Sequence, residues 1–275
     1  MRLVTIRQDD REEAAFVLPD GVAPVRETYD LYTEGADLLS MLESGRFYEL
    51  EVAEVRGVAS SQLSYAPLYR RPRKIWGVGL NYVEHAGDLS ESAPTDEPAS
   101  FMRPDTTIIG PGDEVVLPAQ SERVTAEGEL AIVIGREAKD VPEEDAPSVV
   151  AGFTTVLDMT AEDILRKNPR YLTRSKSFDT FFSFGPELVT PDEVANLEAL
   201  EVSTVLNGEV LRTNTVSNMI FSPWWLVSFH SRVMTLLPGG DTERQLSEAV
   251  LLRHAGVVAG GRGADMREGA EGSAS

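Results

Sequence analysis

The chain has 275 residues, 42% of them apolar, with 45 acidic against 25 basic residues and a net charge of −20. Its length supplies one large domain or two unequal ones with ample core, and its negative charge argues against nucleic acid, whose phosphates demand a basic footprint. The lack of cysteine excludes disulfides, zinc-thiolate sites and a cysteine nucleophile. No apolar run reaches the ~18 residues of a membrane span and Met1–Arg7 lacks a signal-peptide core, which predicts a cytoplasmic protein with no membrane partner.

Residues 1–68 read as a small separate N-terminal α/β unit. Leu3–Ile6 and Ala14–Leu18 have strand character, Pro19-Asp20-Gly21 is a turn, and Thr33–Ser44 reads as a short helix carrying Leu38, Leu39 and Leu42. Pro67, Pro72 and the basic cluster Arg70–Lys74 mark a boundary. A short apolar strand from Lys74 then runs into a Gly-punctuated turn and a helical start for which Asn81 is a suitable N-cap. Gly77 and Gly79 do not make a dinucleotide fingerprint, because the third glycine would fall at Tyr82 and no βαβ unit follows. His85 and Asp88 are three apart and share a helix face, where a carboxylate can hold the imidazole in the tautomer a general base needs. A surface histidine with a chance acidic neighbour has the same spacing. Glu97–Arg103, Ile108–Ile109 and Val115–Leu117 continue a β pattern broken by Pro- and Gly-rich turns, and Arg103 suits either an anion or a surface pair.

Leu130–Ile134 is apolar, rich in β-branched residues and stops at Gly135, so it reads as a buried strand. Glu127 and Glu129 point the same way on it. They either face water ahead of the buried part or hold a hard divalent cation, since two buried carboxylates repel unless something positive sits between them. Ala151–Asp158 reads as a strand ending on an acid, followed by a short helix in which Thr160 and Asp163 resemble a capping pair. Asp158 is displayed at the strand end or caps that helix; the local sequence leaves both open. Phe178, Phe181, Phe182 and Phe184 make the next segment buried, and Lys176 at its entrance either snorkels or pairs with carboxylates. Only four basic residues are lysines (Lys74, Lys139, Lys167 and Lys176). A Lys-poor, acid-rich surface suits concentrated salt, which screens repulsion within about 3 Å at 1 M. Leu200–Leu206 and Glu209–Thr213 flank Asn207-Gly208 as a hairpin with a type I′ turn. Phe221–Met234 reads as a buried helix after Ser222.

Taken in order, G-x-G-L-N-Y-x-x-H at Gly77–His85, F-x-[KR]-P at Phe101–Pro104, E-G-E-L-A-x-V-I-G at Glu127–Gly135 and G-[FY]-T-x-x-x-D at Gly152–Asp158 form a set. K-S-F-D-x-F-x-x-x-G-P at Lys176–Pro186, N-G-E at Asn207–Glu209 and Met219-Ile220-Phe221 after Thr215 complete it. Over residues 70–240 the chain resembles the fumarylacetoacetate hydrolase family, in its acylpyruvate-hydrolase-like branch. The resemblance implies a mainly β (α+β) fold, a mixed β-sandwich roll, usually in a homodimer. It implies one Mg²⁺, with Mn²⁺ or Ca²⁺ as alternatives, on Glu127, Glu129 and Asp158. His85, Asp88 and Lys176 match catalytic positions, and Arg103, Asn81, Tyr82 and Lys176 match positions on the substrate side. The partner of the family histidine is commonly Glu; Asp88 is one methylene shorter. The activity implied is hydrolysis of a C–C bond in acylpyruvate-type 2-oxo (1,3-diketo) acids. The family also contains 2-keto-3-deoxy sugar acid dehydratases, oxaloacetate decarboxylases and 2-hydroxyhepta-2,4-diene-1,7-dioate isomerases.

After Met234–Gly239 the family pattern ends. Residues 241–275 read as an atypical, partly disordered tail of the kind a frameshift or rearrangement leaves, with one helix over Asp241–Val258 and no strand to finish a sheet. That expectation implies a missing active-site wall and a third reading, a catalytically impaired metal-binding homologue.

Overall fold

A computed structural model describes residues 1–8, 11–27, 37–52, 57–59, 63–82 and 96–238, and the backbone of 248–252. Thr33–Ala36, His85 and Asp88, and most of the tail, lie outside the described residues. The strands are β1 (Arg2–Gln8), β2 (Arg11–Leu18), β3 (Gly21–Pro24), β4 (Ser64–Tyr65), β5 (Lys74–Gly79), β6 (Ala99–Arg103), β7 (Ile108–Ile109) and β8 (Val124–Ile134). They continue as β9 (Val150–Ala161), β10 (Phe182–Phe184), β11 (Glu187–Val189), β12 (Glu201–Leu206), β13 (Glu209–Thr215) and β14 (Glu248–Leu252). Four α-helices are described: α1 (Leu38–Glu43), α2 (Glu162–Lys167), α3 (Leu172–Lys176) and α4 (Pro223–Val233). The fold is mixed and strand-rich, as expected. Among the described residues no helix is long and apolar enough to cross a membrane.

Twelve strands form one sheet, whose main path runs β3-β2-β1-β11-β9-β8-β14-β5-β6. β1 pairs with β11, so the sheet does not break at residue 68. β8 and β9 are central and covered on both faces, which is why they read as near-continuous apolar runs. Ala131, Val133 and Val156 face one core with Phe182, Phe184 and Leu188, while Leu130, Ile132 and Phe153 face another with Leu226 and Val227. α4 begins at Pro223, capped by the Ser222 hydroxyl accepting from Trp225 N at 3.1 Å. The hairpin β12–β13 stands apart as a two-stranded sheet, with Asn207 and Gly208 at φ 52° and 83° as a type I′ turn requires.

Three expectations change. Val115–Leu117 forms no strand. β9 continues three residues past Asp158, so that residue lies inside the strand, and α2 starts after Ala161 without a side-chain cap. Neither Thr160 nor Asp158 is a helix cap. Glu248–Leu252, expected within a helix, is strand β14, parallel to β5 and antiparallel to β8. The run Ala249–Leu252 offers four consecutive apolar residues, and inserting them between two buried strands satisfies backbone groups that β5 and β8 would otherwise leave unpaired.

Candidate metal centre

Antiparallel register places Glu127 of β8 directly opposite Asp158 of β9, and Glu129 opposite Val156. Directly opposed like charges destabilise a sheet, yet Glu129 and Asp158 have no solvent exposure and Glu127 is 8% exposed. One carboxylate oxygen from each of the three lies within 4.8 Å of the other two. Two cations compensate them. Lys176, the last residue of α3, is fully buried; its Nζ donates to Asp158 Oδ2 at 2.6 Å, to Glu127 Oε2 at 3.1 Å and to Thr160 Oγ1 at 2.6 Å. Its ammonium also sits 5.2 Å from the centre of the Phe101 ring. Gly77 makes room for that ring, because a Cβ there would fall 2.2 Å from it. Close packing, and not a phosphate, accounts for the first glycine of the G-x-G.

Arg103 supplies the second cation. The side chain is fully buried and pairs with Asp158 Oδ1. It donates to the carbonyls of Lys176, Phe181 (3.1 Å) and Met159 (3.1 Å). The resemblance implied a place for it on the substrate side; in the structure the guanidinium faces the Asp158 carboxylate and backbone carbonyls. Asn81, also expected near substrate, commits its amide to Phe221, donating to the carbonyl at 3.0 Å and accepting from the N–H at 2.9 Å. Tyr82 is buried and bridges to Met219. Burial, and then the charge of Glu129, push its phenol above the ordinary value, so it stays protonated beside the carboxylates. Thr160 reads in the sequence as half of a capping pair and not as a residue of the site. It lies two residues after Asp158 on the same strand face, and its hydroxyl accepts from Lys176 and donates to Glu127 Oε2 at 3.3 Å. The i, i+2 spacing was the available signal.

The donor set consists of three carboxylates and no nitrogen or sulfur, the chemistry that suits hard divalent cations. With Lys176 and Arg103 present, the cluster carries one net negative charge. The three carboxylates can therefore hold a divalent metal.

Residues 74–240 match the fumarylacetoacetate (FAA) hydrolase C-terminal family. The chain belongs to that family. Two curated relatives align well. A protein from Archaeoglobus fulgidus, described as uncharacterized, is 44% identical over 168 residues, 61% of this chain and 65% of its own length. The human mitochondrial oxaloacetate tautomerase FAHD2A is 38% identical over 188 residues, 68% of this chain and 60% of its own length. The alignment thus spans under two thirds of either relative. Among solved structures, the fumarylacetoacetate hydrolase of the psychrophile Exiguobacterium antarcticum superposes with a TM-score of 0.78 at 27% identity, covering 92% of this chain and 86% of that one.

Proposed function

We propose that the chain is a divalent-metal-dependent hydrolase that cleaves a C–C bond in acylpyruvate-type 2-oxo acids, with Mg²⁺ as the metal and Mn²⁺ or Ca²⁺ as substitutes, acting as a homodimer. The observation that carries this reading is the meeting of Glu127, Glu129 and Asp158 within 4.8 Å, beside the buried ammonium of Lys176. When bound, a divalent cation there supplies Lewis-acid polarisation of a 2-oxo carbonyl. A dication turns the cluster's single negative charge into a single positive one, which favours an anionic substrate. Lys176 then offers a point cation to a carboxylate or to the oxygen on which negative charge develops. Tyr82, held protonated, is a hydrogen-bond donor in the same surroundings. His85, with Asp88, takes a proton from water. Hydroxide adds to the distal carbonyl, the C–C bond breaks with its electron pair leaving on the pyruvate fragment, and that fragment takes back a proton.

A second reading, keto–enol tautomerisation or another lyase or isomerase reaction on the same acids, is favoured by the name of the human relative. It needs no water attack. A panel of acylpyruvates, oxaloacetate and 2-keto-3-deoxypentonates, assayed with Mg²⁺ or Mn²⁺, separates the two. Pyruvate release from acylpyruvates that is lost in His85→Ala supports hydrolysis, and enol–keto exchange of oxaloacetate without pyruvate supports the second. No turnover on any member, with Mg²⁺ still bound, supports the impaired homologue.

A further inference from the structure

Asp158 receives a different cation on each oxygen, Arg103 on Oδ1 and Lys176 on Oδ2. The same guanidinium that holds Oδ1 also holds the backbone of Lys176. Its Nη1 donates to the carbonyls of Lys176 and Phe181, and its Nη2 reaches Met159 O and Asp158. These acceptors come from three segments: the end of α3, the turn before β10 and the C-terminal part of β9. The Phe182 ring lies 5.5 Å below the guanidinium carbon. Only a planar fork with several N–H donors can serve acceptors in these directions together; an ammonium is a point charge with three donors.

We infer that Arg103 is a positioning residue that fixes the spacing between the carboxylate of Asp158 and the Lys176 ammonium, setting metal affinity and substrate affinity together. The inference rests on the metal-centre reading above. Groups that hold a metal ligand from behind change metal affinity by about 10- to 100-fold when removed. A role confined to fold stability would lower the melting temperature and leave the Mn²⁺ affinity of the folded protein unchanged.

The test uses the full chain with Arg103→Lys, Arg103→Met and Glu129→Gln, and measures Mn²⁺ binding by calorimetry alongside metal-free thermal unfolding and KM. Arg103→Lys keeps the charge, so it folds, with Mn²⁺ affinity lower by about 10-fold or more and KM raised with it. Arg103→Met loses charge and fork; the lost cation alone would strengthen dication binding, so weaker Mn²⁺ binding and a higher KM in this variant isolate the lost positioning, and where it binds more tightly or fails to fold the Lys variant decides. An Arg103→Lys variant that binds Mn²⁺ like the wild type, or that does not fold, overturns the inference. If Glu129→Gln binds Mn²⁺ as tightly as the wild type, the metal-centre reading itself fails, a result distinct from the failure of Arg103.

Discussion

Two ion networks in this protein use the same chemical groups to opposite ends. Near the surface, Arg7 grips Asp113 with two bonds of 2.7 Å, Arg70 grips Glu12 at 2.7 and 2.6 Å, and Arg7 Nε joins them through Glu12 at 3.4 Å. Two cations face two anions there, and the side chains remain 27–45% exposed. Burial alone would raise the Glu12 and Asp113 carboxyls, but the arginine hydrogen bonds and charges outweigh it and hold both below their ordinary values. That network ties β1 and β2 to the turn at 110–113. In the candidate metal centre, three carboxylates face two cations with almost no exposure. A balanced, wet network contributes stability. An unbalanced, buried one gives up stability and leaves an excess of negative charge that a dication would offset.

The comparison can be broken most sharply at Lys176. In Lys176→Met the metal-free chain loses about 3–5 kcal/mol, the cost of stranding buried charge, and saturating Mg²⁺ recovers part of it. Urea unfolding with and without Mg²⁺ checks this; an equal loss in both conditions would show that the cluster is an ordinary structural salt bridge. Glu129→Gln should act the other way. Removing one like charge leaves the metal-free protein at least as stable as wild type, while the gain of about 2.7 kcal/mol expected for the wild type at 100 times Kd disappears. Thermal shift against Mg²⁺ concentration reads both effects.

Arg70→Met, in the outer network, should cost only about 1 kcal/mol and less at high salt. Because the Glu12 and Asp113 pKa values are lowered on folding, their contribution is present above the ordinary carboxylate range and is lost as pH falls through the folded values. Stability of the variant measured through that acid range should fall less steeply than that of the wild type. The smallest effect belongs to His230, whose Nδ1 meets Leu226 O at 2.8 Å and whose Nε2 meets Ser100 Oγ at 3.0 Å. Burial lowers its pKa, partly opposed by the Leu226 carbonyl. The unfolded chain therefore binds the extra proton first, and stability declines as pH drops below about 6.5 toward the folded value. His230→Gln should flatten that limb; an unchanged slope would assign it to other groups.

Much of the site could be read along single strands. Glu127 and Glu129 share a face by alternation alone, and the Asn207-Gly208 hairpin follows from the backbone its turn requires. Asp158 needed more. Its local sequence allowed a strand end or a cap, and only pairing with β8 extended β9 past it and brought Thr160 round to the same face. Arg103 read as a surface or anion-binding residue because its acceptors are backbone carbonyls far along the chain, which leave no side-chain pattern. β14 was missed for a related reason: a four-residue apolar run is neutral between helix and strand until two neighbours with free edges claim it.

Composition, side-chain alternation and turn chemistry are local properties; they limited this chain to an acidic, cysteine-free, strand-rich protein with two glutamates aimed together, and the resemblance carried by the ordered motifs joined Asp158 and Lys176 to them. Which acid would oppose Glu127, which two cations would offset the charge, and which strand would close the gap between β5 and β8 depended on contacts between distant segments. Those contacts are selected by burying both faces of one sheet and by balancing charge inside it, and neither condition is visible until the segments meet.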